Sequence, residues 1–131
     1  MSSSESTELR LDSLAGALDR LRDALAQPKS EWTRDAAIQR FELTFELAWK
    51  SAKRAAEREG IEAPSPRQAL RAAFRLGWIE DDALWLEMLE DRSRTSHTNP
   101  LATAEAIYAR LPAYLAAIDE LLRRLRSATS A

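Results

Sequence analysis

The sequence predicts an all-α domain, an up-and-down four-helix bundle with one additional short helix. Three observations predict it. Apolar residues recur at spacings of three and four along most of the chain, the period of a helix with one buried stripe. Only 3 glycines and 5 prolines occur in 131 residues. No stretch alternates polar and apolar residues for long, so strands find no support. Four substantial helices joined by short connections pack as such a bundle. At 14.7 kDa the chain has room for one core and not two. The domain is expected over residues 9–127, behind a frayed tail at residues 1–8.

Each element has its own warrant. Leu11, Leu14, Leu18, Leu21 and Leu25 define the stripe of a first helix, which Pro28 and Ser30 end. A long second helix is expected over about residues 33–59. Ile38, Phe41, Phe45, Ala48, Trp49 and Ala52 lie on one side of it, and Gly60 suits the left-handed position after its end. Ser65-Pro66-Arg67-Gln68 carries helix-start chemistry: a Ser cap, Pro at the first position and Gln three after the cap. That short third helix stops at Gly77. Asp81 or Asp82 caps a fourth, with Trp85, Met88 and Leu89 facing inward. Asn99-Pro100 breaks the chain, because proline pushes its predecessor out of the helical region. The fifth helix buries Ile107, Leu111, Tyr114, Ile118, Leu121 and Leu125, and its Arg123, Arg124 and Arg126 suit the negative end of a helix dipole. The second helix also shows Leu43 and Leu47 away from its inner stripe. A helix apolar around much of its girth is covered on more than one side, and a homodimer is the simplest second cover.

Composition narrows the function. A net charge of −2 and a pI near 5.5 give no general attraction to nucleic acid, so any RNA contact rests on a local patch. Without cysteine, disulfides and thiolate metal sites are excluded. A single histidine argues against a metal site within one chain, and no cofactor is expected. No apolar run approaches the roughly 18 residues that span a bilayer. The opening Met-Ser-Ser-Ser-Glu-Ser-Thr-Glu lacks the basic and apolar regions of a secretion signal, so a cytoplasmic location is expected.

The chemistry concentrates in Leu89-Glu90-Asp91-Arg92-Ser93-Arg94-Thr95-Ser96-His97-Thr98-Asn99-Pro100, which holds the single histidine. An imidazole beside a guanidinium and small hydroxyls can transfer a proton on a phosphodiester or grip an anion. On an unbroken helix Arg92 and His97 would stand about 140° apart, whereas Arg92 and Ser96 would share a face. Thr95, Ser96, Thr98 and Asn99 are poor helix formers, so unwinding before Pro100 could return His97 toward Arg92. The two could also meet their counterparts across a dimer axis. The plainer alternative has His97 capping the last carbonyls while Arg92 pairs with Glu90 or another acid. Arg92 and His97 are the candidate catalytic residues; Arg94, Ser96, Asn99, Glu46 and Lys50 are the candidate binding residues.

Other features have bland alternatives. Arg67, Arg71 and Arg75 form a basic ridge at four-residue spacing, either a solvated face or a phosphate acceptor. Glu42 and Glu46 are four apart; a carboxylate metal site would need the Glu-x-x-His partner that is absent here, which favours salt bridges such as Glu46 with Lys50. Trp32, Trp49, Trp78 and Trp85 suit core or interface anchors. No Gly-rich phosphate loop, no Gly-x-Ser-x-Gly and no Gly-Ser followed by paired aspartates is present, so the chain does not look able to transfer a nucleotide itself.

Ile38-Gln39-Arg40-Phe41-Glu42-Leu43-Thr44-Phe45-Glu46-Leu47-Ala48-Trp49-Lys50 resembles a signature of the nucleotidyltransferase substrate-binding protein family, small helical proteins of the wider HEPN group. Ser65-Pro66-Arg67, Leu76-Gly77-Trp78-Ile79, the run from Trp85 to Arg92 and Thr95-Ser96-His97-Thr98 resemble further family motifs, in order, over about residues 9–125. The resemblance implies a HEPN-like bundle, a homodimer and a separately encoded minimal nucleotidyltransferase as partner. In related toxin–antitoxin systems the HEPN member is an RNase with the motif Arg, four to six residues, His, any residue, Tyr, and its partner attaches AMP to that Tyr. Arg92 and His97 fit the first two positions; the third is Asn99. Asn has no phenolic hydroxyl, which excludes AMP attachment there and deprives any RNase activity of a residue that the toxins carry.

Two functions follow as expectations. One is a non-catalytic, substrate-binding subunit that, as a dimer, docks a nucleotidyltransferase and supplies the wall that holds its substrate. The other is a metal-independent ribonuclease in which His97 moves the proton of the ribose 2′-hydroxyl and Arg92 stabilises charge on the phosphate.

Overall fold

The computed structural model describes the backbone of residues 3–94 and 100–129 and the side chains of residues 11–94 and 101–129. Thr95, Ser96, His97, Thr98 and Asn99 therefore lie outside the described residues. Five helices occur in order: α1 (Ser3–Ala26), α2 (Glu31–Arg58), α3 (Pro66–Arg75), α4 (Asp82–Arg94) and α5 (Pro100–Thr129). No strand is present among the described residues. The all-α expectation holds, with α1 helical from Ser3 where a tail through residue 8 was expected.

Local chemistry sets most boundaries. Ser30 caps α2 instead of merely ending α1: its hydroxyl accepts from the Thr33 amide at 3.1 Å, and the Thr33 hydroxyl receives the Ser30 amide at 2.8 Å. This reciprocal pair starts α2 two residues before the expected position. Ser65 likewise accepts from the Gln68 amide at 3.2 Å, with Pro66 in the first turn of α3. Asp81 is the residue that caps α4, accepting from the Leu84 amide at 3.1 Å. Gly60 and Gly77 have φ of 81° and 80°. At each, two amides beyond the helix turn back to its last carbonyls: Ile61 to Ala56 and Gly60 to Glu57, Trp78 to Ala73 and Gly77 to Phe74. That closing pattern needs a left-handed residue, which glycine supplies without steric cost.

The helix α2 is the hub. It packs against α1, α3, α4 and α5, while α1 and α5 also pack on each other and α4 touches α3 and α5. Phe41, Phe45, Ala48 and Ala52 of α2 are sealed with Leu14, Leu18 and Leu21 of α1 and with Ile107, Leu111, Tyr114, Ile118, Leu121 and Leu125 of α5. Met88 of α4 and Leu70 of α3 complete the core. The chain's own helices bury 12 of the 28 residues of α2. Leu47 packs partly against this core; Leu43 stays 50% exposed.

Charged and aromatic groups complete the frame. The helix α5 runs on to Thr129, so Arg126 lies in its last turn as expected, while Arg123 and Arg124 stand before it. The three pair laterally with Glu120, Glu80 and Asp12 among others, and Arg124 also donates to the Gly77 carbonyl at 2.9 Å. Lys29 and Arg34 both bind Glu105, tying the start of α2 to α5. Trp49, Trp78 and Trp85 are buried, whereas Trp32 is 85% exposed.

Candidate functional site

The site forms where the outer side of α2 meets the end of α4. Along α2, Ala36, Gln39, Arg40, Glu42, Leu43 and Glu46 follow at steps of three or four or as neighbours, so one open stripe presents them together. Arg92 of α4 joins them to line a cleft of about 620 Å³. Its guanidinium donates to Glu46 Oε2 at 2.6 Å, and Lys50 Nζ stands 3.4 Å from Glu46 Oε1. The Lys50 ammonium also lies 6.0 Å from the Trp49 ring centroid. Glu46 therefore holds two cations, one from each helix. At 28% and 35% side-chain exposure, Glu46 and Arg92 remain in contact with solvent, so their charges are available to a ligand in the cleft. The expectation that Arg92 pairs with an acid is met by Glu46 across the helices and not by Glu90.

Three of the expected site residues thus come together: Arg92, Glu46 and Lys50. Arg94 does not join them. It extends along its own helix to Glu90 at 3.3 Å and Asp91 at 3.6 Å, with its side chain 56% exposed. His97, Ser96 and Asn99 lie outside the described residues. Among the described residues no cluster of three or more metal-binding side chains occurs, and no helix is long and apolar enough to cross a membrane.

One group that orients the site was not singled out from the sequence. Asp91, the neighbour of Arg92, is fully buried. It receives Arg110 Nε at 2.7 Å and the Arg110 terminal nitrogen at 2.8 Å, a bidentate pair. The Tyr114 hydroxyl donates to the same carboxylate at 2.5 Å. Burial, then the Asp91 carboxylate, pushes the Tyr114 phenol well above its ordinary range, so it stays a donor. The Asp91 bond likewise raises the Arg110 guanidinium, which stays charged. Tyr114 stacks on Phe41 at 5.2 Å, and Phe41 and Phe45 lead on to Trp85 of α4. The last turn of α4 is thereby clamped to α5 through Asp91. Successive helical residues differ by about 100°, so fixing Asp91 inward turns Arg92 onto the cleft. The sequence signal was faint: Trp85, Met88 and Asp91 at three-residue steps, with Arg110 and Tyr114 four apart.

This arrangement is a shallow, mixed site with an apolar floor at Leu43 and charged walls, suited to binding a polar ligand or a partner's edge. Comparison with known proteins agrees with the fold. A crystal structure of a Thermus thermophilus protein is similar with a TM-score of 0.81 at 41% identity, covering 86% of this chain and 98% of that one. A Haemophilus influenzae structure, described as revealing the fold of a substrate binding domain of a nucleotidyltransferase, is similar with a TM-score of 0.70 at 29% identity, covering 94% and 98%. A Haemophilus influenzae protein named probable ribonuclease HepT is 36% identical over 95 residues, which are 69% of this chain and 65% of that protein's length. The sequence profile of the nucleotidyltransferase substrate binding protein-like family matches residues 9–127, and the chain belongs to that family.

Proposed function

We propose that this protein is the non-catalytic, substrate-binding subunit of a separately encoded minimal nucleotidyltransferase and acts as a homodimer. The observation that carries the proposal is the cleft on α2, where half-exposed Leu43 lies beside the Arg92–Glu46–Lys50 cluster. An apolar floor provides binding area, and fixed charges beside it provide orientation. The family match supports the same role. Leu43 and its cleft are an open surface of α2 that a second subunit or partner can cover. The test is co-expression with a small nucleotidyltransferase from the same genome, followed by size exclusion with light scattering. A stable complex that Leu43→Arg or Arg92→Ala weakens at least tenfold is expected. Failure of the wild-type proteins to associate would remove the proposal.

A ribonuclease reading is favoured by one observation, the similarity to a protein named probable ribonuclease HepT. In that reading Arg92 stabilises a phosphate and His97 moves the proton. The Glu46 bond would have to yield part of Arg92 to the phosphate, and Asn99 stands where related toxins carry Tyr. RNA cleavage by the purified protein that His97→Ala abolishes would support it. Equal products, or none, from both proteins would retire it.

A further inference from the structure

We propose that the outer face of α3 is a docking surface for single-stranded nucleic acid, separate from the cleft around Arg92. The helix presents Arg67, Arg71 and Arg75 to solvent, and Phe74 is 47% exposed among them. At about 100° per residue these four side chains fall within an arc of about 100°, and the three guanidinia step along the axis by about 6 Å each. The opposite side, Ala69, Leu70, Ala72 and Ala73, is buried. The face is therefore fixed in orientation by the core behind it.

The three charges on this face stand in one row on a single short helix. Arg92, Arg94, Arg110, Arg123, Arg124 and Arg126 all have carboxylate partners. Arg67, Arg71 and Arg75 have no ion pair among the described residues, and α3 contains no acidic residue. Like charges four apart destabilise a helix, so this ridge works against its own short element in a protein whose net charge is −2. A row of three unpaired guanidinia complements a linear polyanion better than a single anion. Phe74 adds the second half of single-strand recognition, a π-face on which a base stacks beside a cationic track. A membrane surface fits less well, since Phe74 is the one large apolar side chain exposed on α3. An acidic protein segment would match the charge but would not need the aromatic face.

The test is fluorescence anisotropy of a labelled twelve-nucleotide oligouridylate with the full chain over a range of salt concentrations. Three phosphate contacts predict a slope of log affinity against log salt of about −2. The triple variant Arg67→Gln, Arg71→Gln, Arg75→Gln is expected to lose that slope and at least tenfold in affinity at low salt. Phe74→Ala is expected to weaken binding about tenfold with the slope kept, since stacking is not ionic. Circular dichroism should show every variant folded, because the altered side chains are exposed. Arg20→Gln, which removes an exposed cation of α1 outside both surfaces, should bind like the wild type, so that a loss in the triple variant is not one of general charge. Equal binding by wild type and triple variant would overturn the proposal. So would binding that Arg92→Ala abolishes and the triple variant retains, or binding to anionic vesicles without binding to the oligonucleotide.

Discussion

Replacing Asp91 by Ala tests whether the buried clamp holds the end of α4. The carboxylate accepts three hydrogen bonds, two from Arg110 and one from Tyr114. The Arg110 side chain is 31% exposed and can turn toward water, so losing its pair is discounted to about 1 kcal/mol. Tyr114 is sealed, and its unsatisfied hydroxyl costs about 1–3 kcal/mol. Together the loss is about 2–4 kcal/mol, a large part of the roughly 5–15 kcal/mol that holds a domain together. Urea unfolding followed by circular dichroism at 25 °C measures it, and a Tm lower by about 10 °C is the thermal counterpart. Tyr114→Phe in the same background should be partly forgiven, because the hydroxyl it removes is already orphaned. The two substitutions should therefore couple by about 1 kcal/mol in a double-mutant cycle. A destabilisation below about 1 kcal/mol, or strict additivity, would show that Asp91 does not anchor α4.

Other outcomes follow from the same structure. Leu43→Arg should leave unfolding within about 0.5 kcal/mol of wild type, because the position is half exposed, while light scattering should show loss of the proposed self-association. Gly77→Ala should cost about 1 kcal/mol in urea unfolding. An added Cβ meets nothing within 4 Å, so the cost is that of φ near +80° alone. Alkaline titration should report Tyr114. Its phenol is raised in the fold, first by burial and then by Asp91, while an unfolded tyrosine ionises near pH 10. The stabilisation is thus complete below about pH 10 and is lost as pH rises beyond it. The urea midpoint of wild type should fall more steeply between about pH 9 and 11 than that of Tyr114→Phe. Equal slopes would remove Tyr114 from the account.

Helix number, order and most ends were readable from the chain itself, because caps and turns are local chemistry. Ser65-Pro66, Gly60 and Gly77 act through their own backbone and nearest neighbours, and the leucine spacing of α1 and α5 names the inner faces directly. Pro112 is a place where the apolar spacing from Ile107 to Leu125 overrides a local rule. It lies inside α5, removes one backbone donor and still does not end the helix, because buried Leu111 and Tyr114 on either side hold it in the core. Only the tertiary structure decided what covers α2, since periodicity marks an apolar side without saying which neighbour meets it. The same holds for the site. The residues 89–100 stood out as chemistry in the sequence, but the Glu46–Arg92 bridge spans 46 positions and the Asp91–Arg110 pair 19. Distances of that kind belong to the packing of helices against one another, and a one-dimensional pattern of apolar and charged residues contains no term for them.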